Sequence, residues 1–173
     1  MRWLLLLVVC LPIGCRSRIQ PERESDFFGG VGVVGLPGVG GTLTAGQYFS
    51  KKREQSDIAF EMRAAFQGAI DDTPTQDGKF AHIQAGVRQN TSPGHDRRLF
   101  FRYGLTWFRA NGAPRIIDVP ADYFGMYGAV GYEWRLGERV WVGPEIAINI
   151  VNGEGSIGSE FLPQVAFNLL FDF

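Results

Sequence analysis

The most constraining feature of this sequence is its C-terminal stretch, from Phe161 to Phe173, in which apolar and polar residues alternate. Side chains of a β-strand point alternately to its two faces, so a period of two predicts a strand with one apolar and one more polar face. The meaning of this strand depends on whether the rest of the chain repeats the pattern. The apolar parity holds Phe161, Val165, Phe167, Leu169, Phe171 and Phe173, and the other holds Gln164, Ala166, Asn168, Leu170 and Asp172.

The same alternation recurs along most of the chain. Before the alternating segments, the sequence predicts a Gly-rich first strand from Phe27, a Pro37-Gly38 turn, and a second strand from about Thr42 to Ser50. We therefore expect about eight strands, most of them about 10 residues long, which is the length of a tilted strand that crosses a membrane. The remaining alternating segments are 57–67, 80–90, 98–109, 122–134 and 140–151.

The links between the predicted strands differ in length. The second, fourth and sixth links are compact, the third and fifth are longer, and the short first and seventh links fit this scheme less well. If the N-terminus lies in the periplasm, the compact links lie on the periplasmic side and the longer loops face outward. The compact links are 51–55, 91–96 and 136–139, and the longer ones are 70–78 and 111–121.

The polar parity of these strands is rich in glycine and too small to form a water-facing exterior. The apolar parity is large and carries Trp107, Trp134 and Tyr132 near strand ends, where aromatic residues of membrane proteins meet the lipid–water interface. We therefore expect the apolar face to point outward into lipid. Pro144 and Pro163 fall inside strands and remove ladder donors, so we expect a bulge or water at each.

The C-terminal residues Phe171-Asp172-Phe173, extended by Leu169, resemble the ending of small outer-membrane β-barrels, whose last strand closes on an aromatic-x-Phe pattern. The resemblance implies an all-β fold: an eight-stranded antiparallel up-and-down transmembrane β-barrel of OmpA/OmpX-like architecture, over residues 27–173. In that family the last strand is recognised by the barrel-assembly machinery. The resemblance therefore implies that Leu169, Phe171 and Phe173 form an assembly signal.

Residues 1–14 have the features of a signal peptide, with a short basic start and an apolar run too short to cross a bilayer as a helix. The run ends at the Gly14-Cys15 junction, which resembles the lipobox of bacterial lipoproteins. That resemblance implies cleavage before Cys15 and lipidation of this residue; ordinary cleavage nearby, leaving an unpaired cysteine, is the alternative. Residues 15–26 are charged and lack an apolar period, so we expect a tether to the first strand.

Charged residues on the polar parity suggest what fills the barrel. An eight-stranded barrel is just wide enough for side chains to fill it, and charges at membrane depth are costly unless they face inward and pair. Because three acidic and three basic residues share this parity, we expect a neutral ion-pair network that closes the lumen. The six residues are Glu61, Arg63, Arg88, Arg102, Glu133 and Glu145.

The sequence indicates no catalytic residue, no cofactor and no metal site. His82 lies on the polar parity of its strand, and we expect it to be a lumen residue hydrogen-bonded to its neighbours. His95 falls in a compact predicted turn, and Asp71 and Asp72 fall in a predicted loop, which we interpret as solvated. The formal net charge of −1 gives no field that would attract nucleic acid.

Three functions remain open. The first is a non-enzymatic, monomeric outer-membrane lipoprotein with a periplasmic N-terminus, which contacts outer-membrane lipid and the assembly machinery and acts through its outer loops. The second is a barrel enzyme that resembles the lipid A deacylases (PagL-like); that family uses a His-x-Ser pair, and this sequence has none. The third is a lipocalin-like soluble barrel that binds a small apolar ligand, although the N-terminal Gly-x-Trp of that family is missing.

Overall fold

The computed structural model of the protein describes residues 26–36, 38–49, 56–69, 79–91, 96–111, 122–153 and 160–173. Eight β-strands make up nearly all of this part of the chain. They are β1 (Phe27–Gly35), β2 (Gly38–Tyr48), β3 (Ser56–Ala69), β4 (Lys79–Thr91), β5 (Arg97–Asn111), β6 (Asp122–Arg135), β7 (Val140–Gly153) and β8 (Glu160–Asp172).

The strands form one closed barrel in which each strand pairs antiparallel with the next and β8 pairs with β1. The predicted fold class, an eight-stranded antiparallel up-and-down barrel, is thereby confirmed. The start of β1 and the end of β8 lie at one end of the barrel, here called the terminal end, which also holds the strand ends that lead into 49–55, 92–96 and 136–139. The opposite end, here called the loop end, holds the strand ends that lead into 70–78 and 112–121.

The second strand begins four residues earlier than the sequence predicted, at Gly38 rather than Thr42. The glycines that hid this part of the strand pack against the backbone of β3; a Cβ on Gly40 would lie 1.8 Å from the carbonyl oxygen of Phe66. Only two residues separate β1 from β2, and the first of them, Leu36, adopts a left-handed backbone with φ of 56°. These glycines weakened the alternating pattern in the sequence, but the close packing of the strands requires residues without a side chain at these positions.

The outer face of the barrel is apolar and the inner face is polar. On β5, for example, the outward side chains between Arg97 and Arg109 are all aromatic or aliphatic, and Leu105 is 68% exposed. The two arginines are twelve residues apart, and at about 3.3 Å per residue and a tilt of about 40° they lie roughly 30 Å apart along the barrel axis, which matches the thickness of a bilayer core. The soluble, lipocalin-like arrangement is therefore wrong, because it would place the apolar face inside.

No helix among the described residues has the length and apolar character needed to cross a membrane.

The two prolines inside strands are accommodated in different ways. Around Pro144 the β6–β7 ladder skips two pairs, stopping at Gly131↔Glu145 and resuming at Trp134↔Val142 in the same register. The expected bulge is absent there, because an inserted residue would have shifted the register. Pro163 lies beyond the last β1–β8 pair, at Val165, and therefore pairs only with β7.

Candidate functional site

The barrel interior is the candidate functional site, because it concentrates the charged residues. All six residues that the sequence assigned to a lumen network are inward-facing and at most 3% exposed. They come from β3, β4, β5, β6 and β7, so residues far apart in sequence meet across the barrel. The six are Glu61, Arg63, Arg88, Arg102, Glu133 and Glu145.

Glu145 on β7 joins two arginines from other strands. Its carboxylate accepts two hydrogen bonds from Arg63, at 2.8 Å from Nη1 and 3.0 Å from Nη2, in a bidentate pair. It also accepts a hydrogen bond from Arg102 Nη1 at 2.7 Å and one from Asn168 Nδ2 at 3.2 Å. Removing this one carboxylate would therefore leave two buried guanidinium groups short of partners.

Glu61 on β3 contacts three arginines, two of which also contact Glu145. Its Oε2 accepts a hydrogen bond from Arg88 Nη1 at 3.3 Å, and its Oε1 lies 3.7 Å from Arg63 Nη2. Arg102 Nε lies 2.7 Å from Oε1, but its N–H does not point at that oxygen, so the contact is an ion pair without a hydrogen bond. Glu61 therefore links the charges around Glu145 to those at the terminal end.

Sequence reasoning missed Arg98, which belongs to the same network. Its Nε donates to Glu133 Oε2 at 2.5 Å, and the same oxygen accepts from Arg88 Nη2 at 2.7 Å. The signal was available, because Arg98 has the same parity as Arg102 but stood at the predicted start of its strand. With Arg98 the network has four arginines and three glutamates, so it is not neutral as the sequence predicted. The buried carboxylate of Asp172 lies near Arg98 at the terminal end.

An amide layer lies on the loop-end side of the charges. Gln84 donates to Asn149 at 2.8 Å, and Asn149 in turn donates to Gln164 at 3.3 Å. Gln164 Nε2 lies 3.2 Å from His82 Nδ1, and His82 is 2% exposed. His82 is thus an interior residue that contacts a neighbouring amide, and its Nε2 has no hydrogen-bond partner among the described residues.

Apolar clusters fill the interior at both ends. At the loop end the cluster includes Phe108, whose ring is tilted against that of Phe80 at 5.4 Å and stacked on that of His82 at 6.2 Å between ring centres. The loop-end cluster is Phe80, Phe108, Tyr123, Val151 and Leu162, and the terminal-end cluster is Phe28, Tyr48, Ala59, Trp141 and Leu170.

Glycines on the inner face let adjacent strands approach closely within this packing. Gly86 on β4 and Gly104 on β5 are directly opposite each other. A Cβ on Gly86 would lie 2.2 Å from the carbonyl oxygen of Tyr103, and a Cβ on Gly104 would lie 2.3 Å from that of Ala85. Both distances are to backbone atoms and are too short for a side chain, so a larger residue at either position would require the strands to move apart.

The residues of the predicted assembly signal lie on the outer face of β8 and at its end. Phe171 and Phe173 point outward and are 37% and 61% exposed, while Leu169 is half-buried on the same face. Cys15 and His95 lie outside the described residues, and so do the acidic residues of the 70–78 link. The described residues contain no group of three or more His, Cys, Asp or Glu side chains that could hold a metal ion.

The charged and histidine side chains of the described interior differ in placement from the catalytic residues of a lipid A deacylase. The interior carboxylates are neutralised by arginines, and His82 faces the lumen rather than the lipid-facing surface, where a lipid A deacylase keeps its histidine. The arrangement fills the middle of the lumen with paired charges and places aromatic residues in the interior at each end.

The fold is similar to those of three solved outer-membrane barrels. Neisserial surface protein A matches with a TM-score of 0.63 at 12% identity, covering 86% of this chain and 98% of that one. The attachment invasion locus protein Ail of Yersinia pestis matches with a TM-score of 0.57 at 10% identity, over 88% and 100% of the two chains. OprG of Pseudomonas aeruginosa matches with a TM-score of 0.52 at 11% identity, over 90% and 100%.

No protein-family model matches the sequence, and no curated protein matches it either. At such low identity the structural matches establish the fold alone. The chain therefore has the fold of the small eight-stranded outer-membrane β-barrels, the OmpA/OmpX-like architecture that its C-terminal residues resemble.

Proposed function

We propose that this protein is a non-enzymatic outer-membrane β-barrel with a closed, ion-paired lumen, which acts through its loop end at the cell surface. One observation carries the proposal: every charge of the interior network is paired, and an apolar cluster lies in the interior at each end of the barrel. A pore needs a continuous water-filled path. The interior of an eight-stranded barrel is just wide enough for side chains, so a lumen filled with side chains leaves no room for such a path.

A surface role follows from the closed lumen, since a barrel that conducts nothing offers only its loops and rims to partners. The names of two structural neighbours, a surface protein and an attachment and invasion protein, support this part of the proposal. The outward apolar band supports a location in the outer membrane. Lipidation at Cys15, a periplasmic N-terminus and recognition of Leu169, Phe171 and Phe173 by the assembly machinery belong to the same proposal and rest on the sequence.

Planar-bilayer recording tests the closed lumen. Folded wild-type protein, checked by its faster migration on an unheated gel, should show little steady conductance. Glu145→Ala removes the acceptor of two buried arginines and should give more conductance or a lower folded yield, whereas Leu105→Ala, on the lipid-facing side, should behave as wild type. A wide and stable conductance of the wild type would overturn the proposal.

A lipid A deacylation assay tests the absence of lipid chemistry. Purified wild-type protein should release no fatty acid from lipid A, because the described histidine, His82, is buried in the lumen. Release that disappears in His82→Ala would refute this part of the proposal and favour the enzyme.

A further inference from the structure

The first strand contributes no polar side chain to the barrel interior. β1 is the shortest strand, with 9 residues against 11 to 15 in the others. Its four inward residues are Phe28, Gly30, Gly32 and Val34, so two of them have no side chain and none can form a side-chain hydrogen bond. The network of charges and amides therefore contains no residue of β1.

Side chains of the two neighbouring strands meet across β1 instead. Tyr48 at the end of β2 donates its hydroxyl to Asp172 Oδ1, at the end of β8, at 3.3 Å. Asp172 also accepts a hydrogen bond from Trp141 Nε1 at 3.1 Å. This bridge joins β2 to β8 through the lumen and passes under β1, where the ring of Phe28 packs on Tyr48 at 4.9 Å.

The bridge is connected to the charged network. Arg98 Nη1 donates to the Tyr48 hydroxyl at 3.3 Å, and its guanidinium carbon lies 4.0 Å above the ring of Trp141. The same arginine pairs with Glu133. Arg98 therefore links both partners of Asp172 to the charged network of β5 and β6.

The last residue contacts β1 from the outside. The backbone N–H of Phe173 donates to the carbonyl oxygen of Phe27 at 3.0 Å. Its ring lies over Gly29, where an added Cβ would be 3.1 Å from the Phe173 Cε2 atom. Asp172 lies on the inner face of the barrel and Phe173 on its outer face, so the two C-terminal residues enclose the beginning of β1.

We propose that Asp172 and Phe173, together with Tyr48, form a C-terminal clamp that holds β1 in the barrel wall. The clamp replaces the side-chain contacts that the glycines of β1 cannot make. When it is removed, β1 and the paired part of β8 open first, while β3 to β6 stay protected. The polar residue within the aromatic ending thereby acquires a role of its own, distinct from recognition of the flanking aromatic residues.

Hydrogen–deuterium exchange of the folded, full-length protein in lipid tests the clamp. Tyr48→Phe keeps the ring on Phe28 but removes the hydroxyl of the bridge, and it should raise the exchange of backbone amides in β1 about tenfold. Amides of β4 and β5 should be unchanged. Tyr127→Phe is the matched control, because it removes a buried hydroxyl that has no hydrogen-bond partner among the described residues.

Two substitutions of Asp172 extend the test. Asp172→Leu removes both acceptor oxygens and should raise exchange in β1 at least as much as Tyr48→Phe. Asp172→Asn should have a smaller effect, because its amide can still accept from Trp141 and donate to Tyr48. The proposal is overturned if Tyr48→Phe leaves β1 unchanged, or if exchange rises equally in β4 and β5. If Asp172→Leu does not fold, Tyr48→Phe alone decides between these outcomes.

Discussion

Removing the Glu145 carboxylate should be one of the most costly single changes in this barrel. Glu145→Leu takes away the acceptor of three N–H groups on Arg63 and Arg102, which are 3% and 1% exposed. Losing one partner of a buried ion pair costs about 3–5 kcal/mol, because the remaining charge stays buried without compensation. The equilibrium constant of unfolding should therefore rise by between two and four orders of magnitude.

Replacing the arginine as well should recover much of this loss. Arg63→Met with Glu145→Leu removes both charges of the bidentate pair, and Arg102 keeps its contacts with Glu61 and Gln84. Apolar replacement of a whole buried pair is often close to neutral. The double variant should therefore lose at least about 2 kcal/mol less free energy of unfolding than the two single variants lose in total.

Urea unfolding in lipid vesicles, followed by tryptophan fluorescence, measures all three variants. Glu138→Leu is the matched control, since it makes the same substitution on an exposed turn and should cost less than about 0.5 kcal/mol. A cost below 1 kcal/mol for Glu145→Leu, or simple additivity in the double variant, would refute the reasoning that this pair is dry and mutually dependent.

Three further predictions concern the ends and the wall of the barrel. Cys15→Ser should abolish the incorporation of radiolabelled palmitate but leave the barrel in the membrane, because one acyl chain anchors only weakly; equal labelling of both proteins would contradict lipidation. Deletion of 171–173 should lower the amount of folded barrel in the outer membrane, and normal amounts after the deletion would remove the assembly signal. Gly86→Ala should cost roughly 1–3 kcal/mol in urea unfolding, because the new Cβ would meet the backbone of β5, whereas Gly128→Ala, which faces open space, should cost far less.

The fold was predictable because a period of two needs no knowledge of the neighbours. Each strand shows which of its faces is apolar, and the scarcity of polar residues on the other face decides that the apolar face points outward. The beginning of β2 was missed, since glycines at Gly38, Gly40 and Gly41 carry no signal in an alternation of side chains. The interior charges were selected by parity alone, and the same parity includes Arg98, which was passed over because it stood at the first position of its predicted strand.

The partners of these charges could not be predicted in the same way. Arg63 and Glu145 lie on β3 and β7, on opposite sides of the barrel, and their meeting depends on the tilt and register of every strand between them. The Tyr48–Asp172 bridge joins residues 124 positions apart and exists only because the barrel closes. Sequence parity shows which side chains enter the lumen, and only the closed geometry shows which of them touch.

The barrel is expected to enclose its polar face and to present its apolar face to lipid, and this arrangement can be measured. Spin labels at single cysteines introduced at Phe101, Tyr103 and Leu105, the outward positions near the middle of β5, test it most directly. In bilayers these labels should collide often with dissolved oxygen and rarely with a water-soluble nickel chelate, whereas labels at Arg97 and Arg109 should meet the chelate. Frequent collisions with the chelate along the whole strand would show a water-facing exterior and would contradict the account.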